Sequence, residues 1–409
     1  MDLNRRSFVA TAASLAASVA VQPSSALAAV PQRPDVGTDD PLGVRADFPI
    51  VADRTYLNSA YITPIPRQVV AAGQAFTESK ATQSMKLADM LGKVEEVRVQ
   101  FAQFINAAPD EVTFLYTTSE GENILANALD WSRGDNVVID ELHYEAEFVI
   151  YRELEARRGV ELRIAKHRDG VVTASDIEQL VDRRTKLVSV AWVSNQNGFR
   201  HEMRPIADVA HAHGALFYTD AIQAAGMFPI DVRAAGVDAL CSGTYKWLLG
   251  GFGVAPFFIK REALDRIRPD RYGAFAVAKT LPDYRFELHA TAKRFEYATL
   301  PFAEVYQLGA GLAYLQKVGV SRIEQHTVAL GKRLQDGLVA QGYKMFTPAG
   351  TRSSIVTFFT RKPPNDLRSA LGAANVDVTV RDNGQVRVSP ALFNTTEEVD
   401  RFLAVARQP

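Results

Sequence analysis

The sequence holds a single cysteine, Cys241, among 409 residues. That excludes an intrachain disulfide and any Cys-x-x-Cys metal or redox site. Neither charge dominates: 46 basic residues face 47 acidic ones, a formal net charge of -1. The basic footprint that a nucleic acid or an anionic membrane surface attracts is therefore missing. Histidines are few, and the closest pair, His211 and His213, has no third ligand at metal spacing. The pair reads instead as a helix C-terminus ahead of Gly214, so no metal is expected. No apolar run is long enough to anchor the chain stably in a bilayer. What is present is 47% hydrophobic residues, enough for a large core in two or three structural units. Such a balance suits an enzyme of small molecules.

The first residues carry three features in order: Arg5-Arg6 followed by Ser7, a small-residue apolar run to about Val21, and Ala26-Leu27-Ala28. They resemble a twin-arginine export signal, cut after Ala28. The alternative is an Ala/Ser-rich tail. The signal reading implies the twin-arginine translocation machinery as a partner and a periplasmic or otherwise exported destination. Proteins exported this way cross folded, which suits one that takes up a cofactor beforehand and needs no disulfides. Residues 29–65 read as a linker and N-terminal arm, polar and proline-containing to about Val44.

Beyond the arm, Val69 to Phe104 is mostly helical in pattern, and Pro109-Asp110 interrupts it. Short apolar runs then alternate with amphipathic ones. Strands are expected at Val112–Tyr116, Asn136–Asp140, Leu187–Val193, Leu216–Thr219, Ala239–Gly243 and Val254–Ile259. Helices are expected at Glu122–Leu129, Glu145–Arg158 and Pro205–His213. This alternation predicts an α/β fold with a large, doubly wound, mostly parallel sheet, over residues 66–290. Residues 291–409, with two long helices, short strands near 354–359, 376–380 and 385–388, and a helix from Thr396, predict a smaller α+β C-terminal domain.

In doubly wound sheets ligand residues gather at the carboxyl ends of strands. There the sequence places Lys246, in Cys241-Ser242-Gly243-Thr244-Tyr245-Lys246-Trp247, ahead of a glycine-rich turn. A lysine desolvated in that crevice has a lowered proton affinity and forms a Schiff base readily. An exposed loop lysine is the plain alternative. Three further segments tip the balance toward pyridoxal 5'-phosphate (PLP). Asp220 ends a buried strand and offers the anion that keeps a pyridinium protonated, and Gln223 offers a donor to the ring oxygen. Thr118 and Ser119 stand between a strand and a helix, where hydroxyls and free N–H groups cradle phosphate. Tyr144 follows a third strand and offers a ring to stack on the cofactor. Each has an ordinary alternative: a helix cap for Asp220, an N-cap with Glu122 as its capping-box partner for Thr118 and Ser119. Their conjunction, in this order, is what points to PLP.

From about Tyr56 to the C-terminus the chain resembles class V aminotransferases, PLP enzymes of fold type I. The likeness includes Tyr56-Leu57-Asn58, Val193-Ser194-Asn195, Arg294–Thr299 and Val386-Arg387-Val388. It implies that Asn58, Asn195 and Arg387 meet substrate, Arg387 by a bidentate hold on a carboxylate. Asn195 would also meet the ring oxygen. Tyr245 and Thr299 would meet phosphate, Thr299 that of a neighbouring subunit, so a homodimer is implied. The lysine segment is similar to the isopenicillin N epimerase and kynureninase branches. Desulfurases of the family carry a nucleophilic cysteine ahead of the arginine; here Arg381-Asp382-Asn383-Gly384 stands in that place, and Cys241 reads as core.

The resemblance implies chemistry at the Cα of an amino acid or an amino-acid-containing metabolite, with Lys246 as general base. Aminotransferase or epimerase activity is the leading expectation, and the export signal extends it to tailoring of an exported peptide metabolite such as a siderophore. A carbon–sulfur or kynureninase-like lyase is the enzymatic alternative, and a catalytically silent PLP-fold binding protein is the other.

Overall fold

The computed structural model describes residues 40–407. The expected signal, residues 1–28, and the linker as far as residue 39 lie outside the described residues. Seven strands make the main sheet: β1 (Val112–Leu115), β2 (Asn136–Asp140), β3 (Glu161–Ala165), β4 (Thr185–Ala191), β5 (Leu216–Asp220), β6 (Ala239–Cys241) and β7 (Ala255–Ile259). Their order is β1-β7-β6-β5-β4-β2-β3. Strands β2 to β6 pair in parallel, and β7 alone runs antiparallel to its neighbours. Strands β1, β2, β5 and β7 are buried along their whole length, as expected for a sheet covered on both faces.

The covering helices show why their sequences fold as they do. Met203–Ala212 buries Met203, Ile206, Ala207 and Ala210, an i, i+3, i+4, i+7 stripe. Glu145–Arg158 ends at Gly159, whose φ of 67° is the left-handed cap that glycine supplies at little cost. Leu187 and Val188 from β4 and Phe217 from β5 are wholly buried between these layers.

Three expectations need correction, two of them in the main sheet and its helices. The helix after β1 begins at Thr118, not Glu122. Its N-cap is Thr117, which accepts from the Glu120 amide, while Glu120 accepts from the Tyr116 amide at 2.7 Å. Glu120, not Glu122, thus closes the cap, and Glu122 is buried on the helix's inner face. Strand β3 had no counterpart in the sequence reading.

The second sheet is antiparallel, β8 (Lys344–Met345), β9 (Val356–Phe359), β10 (Thr379–Val380) and β11 (Gln385–Val388), in the order β8-β9-β11-β10. The run expected as one strand over Val376–Val380 is two short pieces, because Val376–Asp377 pairs with Thr55–Tyr56 instead. Leu330, Leu334, Phe358, Val386, Val388 and Phe402 form the core of this half. The described part of the arm packs onto it: Leu57 N–H donates to Asp377 O at 3.0 Å and Ser59 N–H to Ser389 O at 3.1 Å. That strap carries Ala60, Tyr61 and Ile62 to the mouth of a cleft above the carboxyl ends of the main sheet.

Candidate active site

The cleft measures about 730 Å³. Its lining combines strand-end residues of the main sheet with Thr379, Arg381 and Arg387 of the second sheet. Thr118, Ser119, Tyr144, Asn195, Asp220, Gln223, Tyr245, Lys246 and Arg387 all line it. Two of the residues singled out in the sequence do not. Asn58 lies beside the cleft, where its Oδ1 accepts from the Thr379 hydroxyl at 2.8 Å. Thr299 is exposed, and its carbonyl accepts from the Tyr116 hydroxyl at 2.8 Å.

Lys246 is only 8% exposed, in the turn after β6. Burial pulls its amine down to about 8, against the opposing pull of the Asp220 charge. Asp220, at the end of β5, is pushed up to about 6 by burial, while the Ile222 N–H and Lys246 act the other way. Burial therefore works against both charges, and each partly restores the other. Gln223 is fixed at both ends of its amide: Trp247 Nε1 donates to its oxygen at 2.8 Å, and its nitrogen donates to Ala60 O at 2.9 Å.

The turn is built tightly against the first helix. The Gly243 N–H donates to Thr118 Oγ at 2.8 Å, and a Cβ at Gly243 would sit 3.0 Å from that oxygen. Tyr245 stacks on Phe252 with ring centroids 4.6 Å apart. Thr118 and Ser119 thus bring two hydroxyls to the cleft at the N-terminus of the helix Thr118–Ala128, a favourable place for an anion.

Tyr144 is half exposed at the cleft, whereas its neighbour His143 is buried beneath it. The Tyr144 N–H donates to His143 Nδ1 at 2.9 Å, which leaves His143 Nε2 as the protonated nitrogen, donating to Ser189 Oγ at 3.1 Å. Ser189 in turn donates to Glu122 at 2.6 Å, and the Tyr151 hydroxyl donates to the same carboxylate oxygen. His143, Glu147 and Asp220 each bring one ligand atom within 4.8 Å of the others. Both ring nitrogens of His143 are already committed, so this trio is better described as the buried polar floor of the cleft. His211, from the other histidine pair, bonds to Asp238 at 2.8 Å.

Among the described residues that line the cleft, two buried side-chain atoms have no partner, Asn195 Oδ1 and Arg387 Nε. Arg387 spends only Nη1 on the protein, donating to Asn195 O at 2.7 Å. Buried polar atoms are normally satisfied, so these two mark where a bound polar group belongs. A desolvated lysine, a carboxylate at a strand end, an anion cradle and an unsatisfied arginine together fit PLP and an amino-acid carboxylate. Residues 55–402 match the aminotransferase class-V family. The chain belongs to that family, and its cofactor is PLP.

A probable cysteine desulfurase of Methanothermobacter thermautotrophicus is 30% identical over 381 residues, 87% of this chain and 94% of that protein. An uncharacterized aminotransferase of Bacillus subtilis is 26% identical over 352 residues, covering 86% and 93%. The apo structure of a cysteine desulfurase from Thermococcus onnurineus NA1 superposes with a TM-score of 0.83 at 27% identity, covering 91% of this chain and 98% of that one. The fold is thus fold type I, with its large mixed, mostly parallel sheet.

Residues that the sequence did not single out also line the cleft: Tyr61, Glu145, Phe252 and Arg381. A signal for Arg381 existed in the two-residue alternation of Thr379, Arg381 and of Gln385, Arg387, which puts all four on one face of a hairpin.

Proposed function

We propose that this protein is a PLP-dependent enzyme acting at the Cα of an amino acid or an amino-acid-containing metabolite, by transamination or epimerisation. The observation that carries the reading is the meeting of Lys246, Asp220 and Arg387 in one cleft that no cysteine lines. When bound, PLP supplies an electron sink for charge developing at Cα. Lys246 would hold its aldehyde carbon, Asp220 its pyridine nitrogen, Gln223 and Asn195 its ring oxygen, and Tyr144 its ring face. Thr118, Ser119 and Tyr245 would hold its phosphate.

The chain's own residues then do the following. Arg387 Nε and its remaining guanidinium N–H groups fix the substrate carboxylate, which orients the Cα–H bond. The Lys246 amine, neutral in good part near its lowered proton affinity of about 8, takes the Cα proton. The buried position of Lys246 keeps water from competing for that proton. Where Lys246 returns it decides between transamination and epimerisation.

A lyase is the second reading, favoured by relatives named cysteine desulfurases. Against persulfide chemistry stands the hairpin ahead of Arg387: Arg381-Asp382-Asn383-Gly384 is a tight turn closed by Gly384 N–H to Arg381 O at 3.0 Å, without a cysteine. Cys241 is wholly buried on β6, and burial raises its thiol further from ionisation.

Export by the twin-arginine pathway, a homodimer in which Thr299 reaches the partner's phosphate site, and action on an exported peptide such as a siderophore complete the proposal. The exposed place of Thr299, outside its own cleft, supports the dimer. Replacing Arg5 and Arg6 by lysine should retain the protein in the cytoplasm; unchanged export would remove that part.

The central test is the absorbance of the purified protein during addition of L-amino acids and small peptides. Loss of the yellow band to a pyridoxamine-like band identifies a transamination half-reaction. A band that shifts and persists points to epimerisation or elimination, which product analysis separates. A protein that never turns yellow with added PLP would refute the reading.

A further inference from the structure

The cleft contains a second arginine that none of the foregoing uses. Strand β10 pairs antiparallel with β11, with Thr379 opposite Arg387 and Val380 opposite Val386. The Arg381 N–H continues the ladder to Gln385 O at 2.8 Å. Side chains alternate along strands, so Thr379, Arg381 and Arg387 share one face, the face that lines the cleft. Arg381 and Arg387 occupy a cross-strand diagonal, where side-chain bases lie about 7–8 Å apart.

The two guanidinium groups have little to balance them. Arg387 is 6% exposed, with its Nε unpartnered. Its proton affinity is lowered to about 10, by burial first and then by the charge of Arg381. Arg381 is half-buried, and its one side-chain bond is a 3.2 Å contact to the neutral Gln385 amide. The carboxylates lining the cleft are Asp220 and Glu145. Asp220 accepts from the Ile222 N–H, and neither carboxylate bonds to either arginine. Like charges facing each other across strands destabilise one another, and the charge of Arg381 acts on Arg387 across the diagonal in the same sense. A single substrate carboxylate on Arg387 would leave Arg381 beside the site still lacking an anion.

We propose that Arg381 is a specificity-determining residue that binds a second anionic group, so that the cleft selects α-amino dicarboxylic acids over neutral amino acids. This rests on the reading of the cleft as the PLP and amino-acid site. Arg387 takes one carboxylate and Arg381 the other, across the diagonal that separates them. The aromatic rings of Tyr61 and Phe252, both 60% exposed at the cleft, leave room at the mouth for the longer acidic side chain.

The test uses the holoprotein and two probes without an amine, glutarate and butyrate, which differ by one carboxylate. Binding is read by calorimetry and by the shift in thermal unfolding. Glutarate should bind at least about tenfold more tightly than butyrate, the effect of one charge-assisted hydrogen-bond pair. Arg381→Gln should remove that preference while butyrate binding stays the same. A parallel absorbance titration compares L-glutamate with L-norvaline and L-glutamine, with the same ratio expected and the same loss in Arg381→Gln. Equal binding of glutarate and butyrate by the wild type, or a preference untouched by Arg381→Gln, would overturn the proposal. If glutarate binds selectively but no amino acid perturbs the cofactor band, the arginine pair stands and the amino-acid reading falls.

Discussion

Trp247, the residue after the lysine, donates its indole N–H to the side-chain oxygen of Gln223 at 2.8 Å, and both side chains are buried. The bond ties the turn that carries Lys246 to the strand end that carries Asp220. Trp247→Phe leaves the Gln223 oxygen buried without a donor, at a cost of about 1–3 kcal/mol. Urea denaturation should show that loss, together with weaker retention of PLP on dialysis. Adding Gln223→Leu removes the orphaned acceptor, so the double variant should be more stable than the sum of the single losses implies. Strict additivity would mean that the bond contributes nothing beyond packing.

The depressed proton affinity of Lys246 has a direct kinetic consequence. The neutral amine is the nucleophile that captures PLP, and an ordinary lysine becomes neutral only above about 10. With Lys246 lowered to about 8 by burial, more neutral amine is present at every pH below that value. The rate at which cofactor-stripped protein takes up PLP into a borohydride-reducible linkage should rise with pH and level off near 8. A plateau only near 10 would show that burial does not govern this lysine. Lys246→Ala should abolish the linkage.

The fold and much of the cleft were legible because a strand end is visible in sequence. Asn136–Asp140 and Gln385–Val388 run as predicted, since a buried strand bounded by polar residues has few other readings. The residues at or just past such ends, Thr118, Tyr144, Asp220 and Lys246, line the cleft for the same reason. Strand β3 was missed because it is the sheet's edge, and its Glu161 and Arg163 face outward enough to look like loop. The start of the helix at Thr118 was obscured by Gly121, which resembles a breaker. There a Cβ would sit 2.8 Å from that of Cys241, so the glycine serves close helix–sheet packing. The alternation hinted at Arg381, but placing it on the same face as Arg387 also needs the hairpin register, which local pattern alone does not set.

Arg98 was equally invisible, and it carries much of the support beneath β1. Its guanidinium is 2% exposed and donates to Glu296 at 2.8 Å and to Val112 O at 2.8 Å. Glu296 also accepts from Thr113 Oγ and the Phe114 N–H, at 3.2 and 3.1 Å. Arg98→Met would leave that buried carboxylate without its cation, and breaking such a pair costs about 3–5 kcal/mol. Denaturant midpoints should fall accordingly, while Arg98→Met/Glu296→Gln should regain a large part of the loss. A single variant as stable as wild type would mean that Glu296 finds water or protonates cheaply.

Glu122 offers the clearest dependence of stability on pH. Burial, followed by the Asp220 charge, holds its carboxyl up at about 8, although Ser189 and Tyr151 donate to it and pull the other way. In the unfolded chain a glutamate ionises near 4.3 (about the model-peptide value). Between those values the folded protein keeps a proton that the unfolded chain has released. By linkage, stability from this group is complete below the unfolded value and declines as pH rises toward 8. Glu122→Gln keeps an oxygen for Ser189 and Tyr151 but cannot ionise. Its melting temperature relative to wild type should therefore climb between pH 5 and pH 8. A difference that stays constant over that range would show that Glu122 is already ionised in the folded protein, with its charge compensated by the hydroxyls that face it.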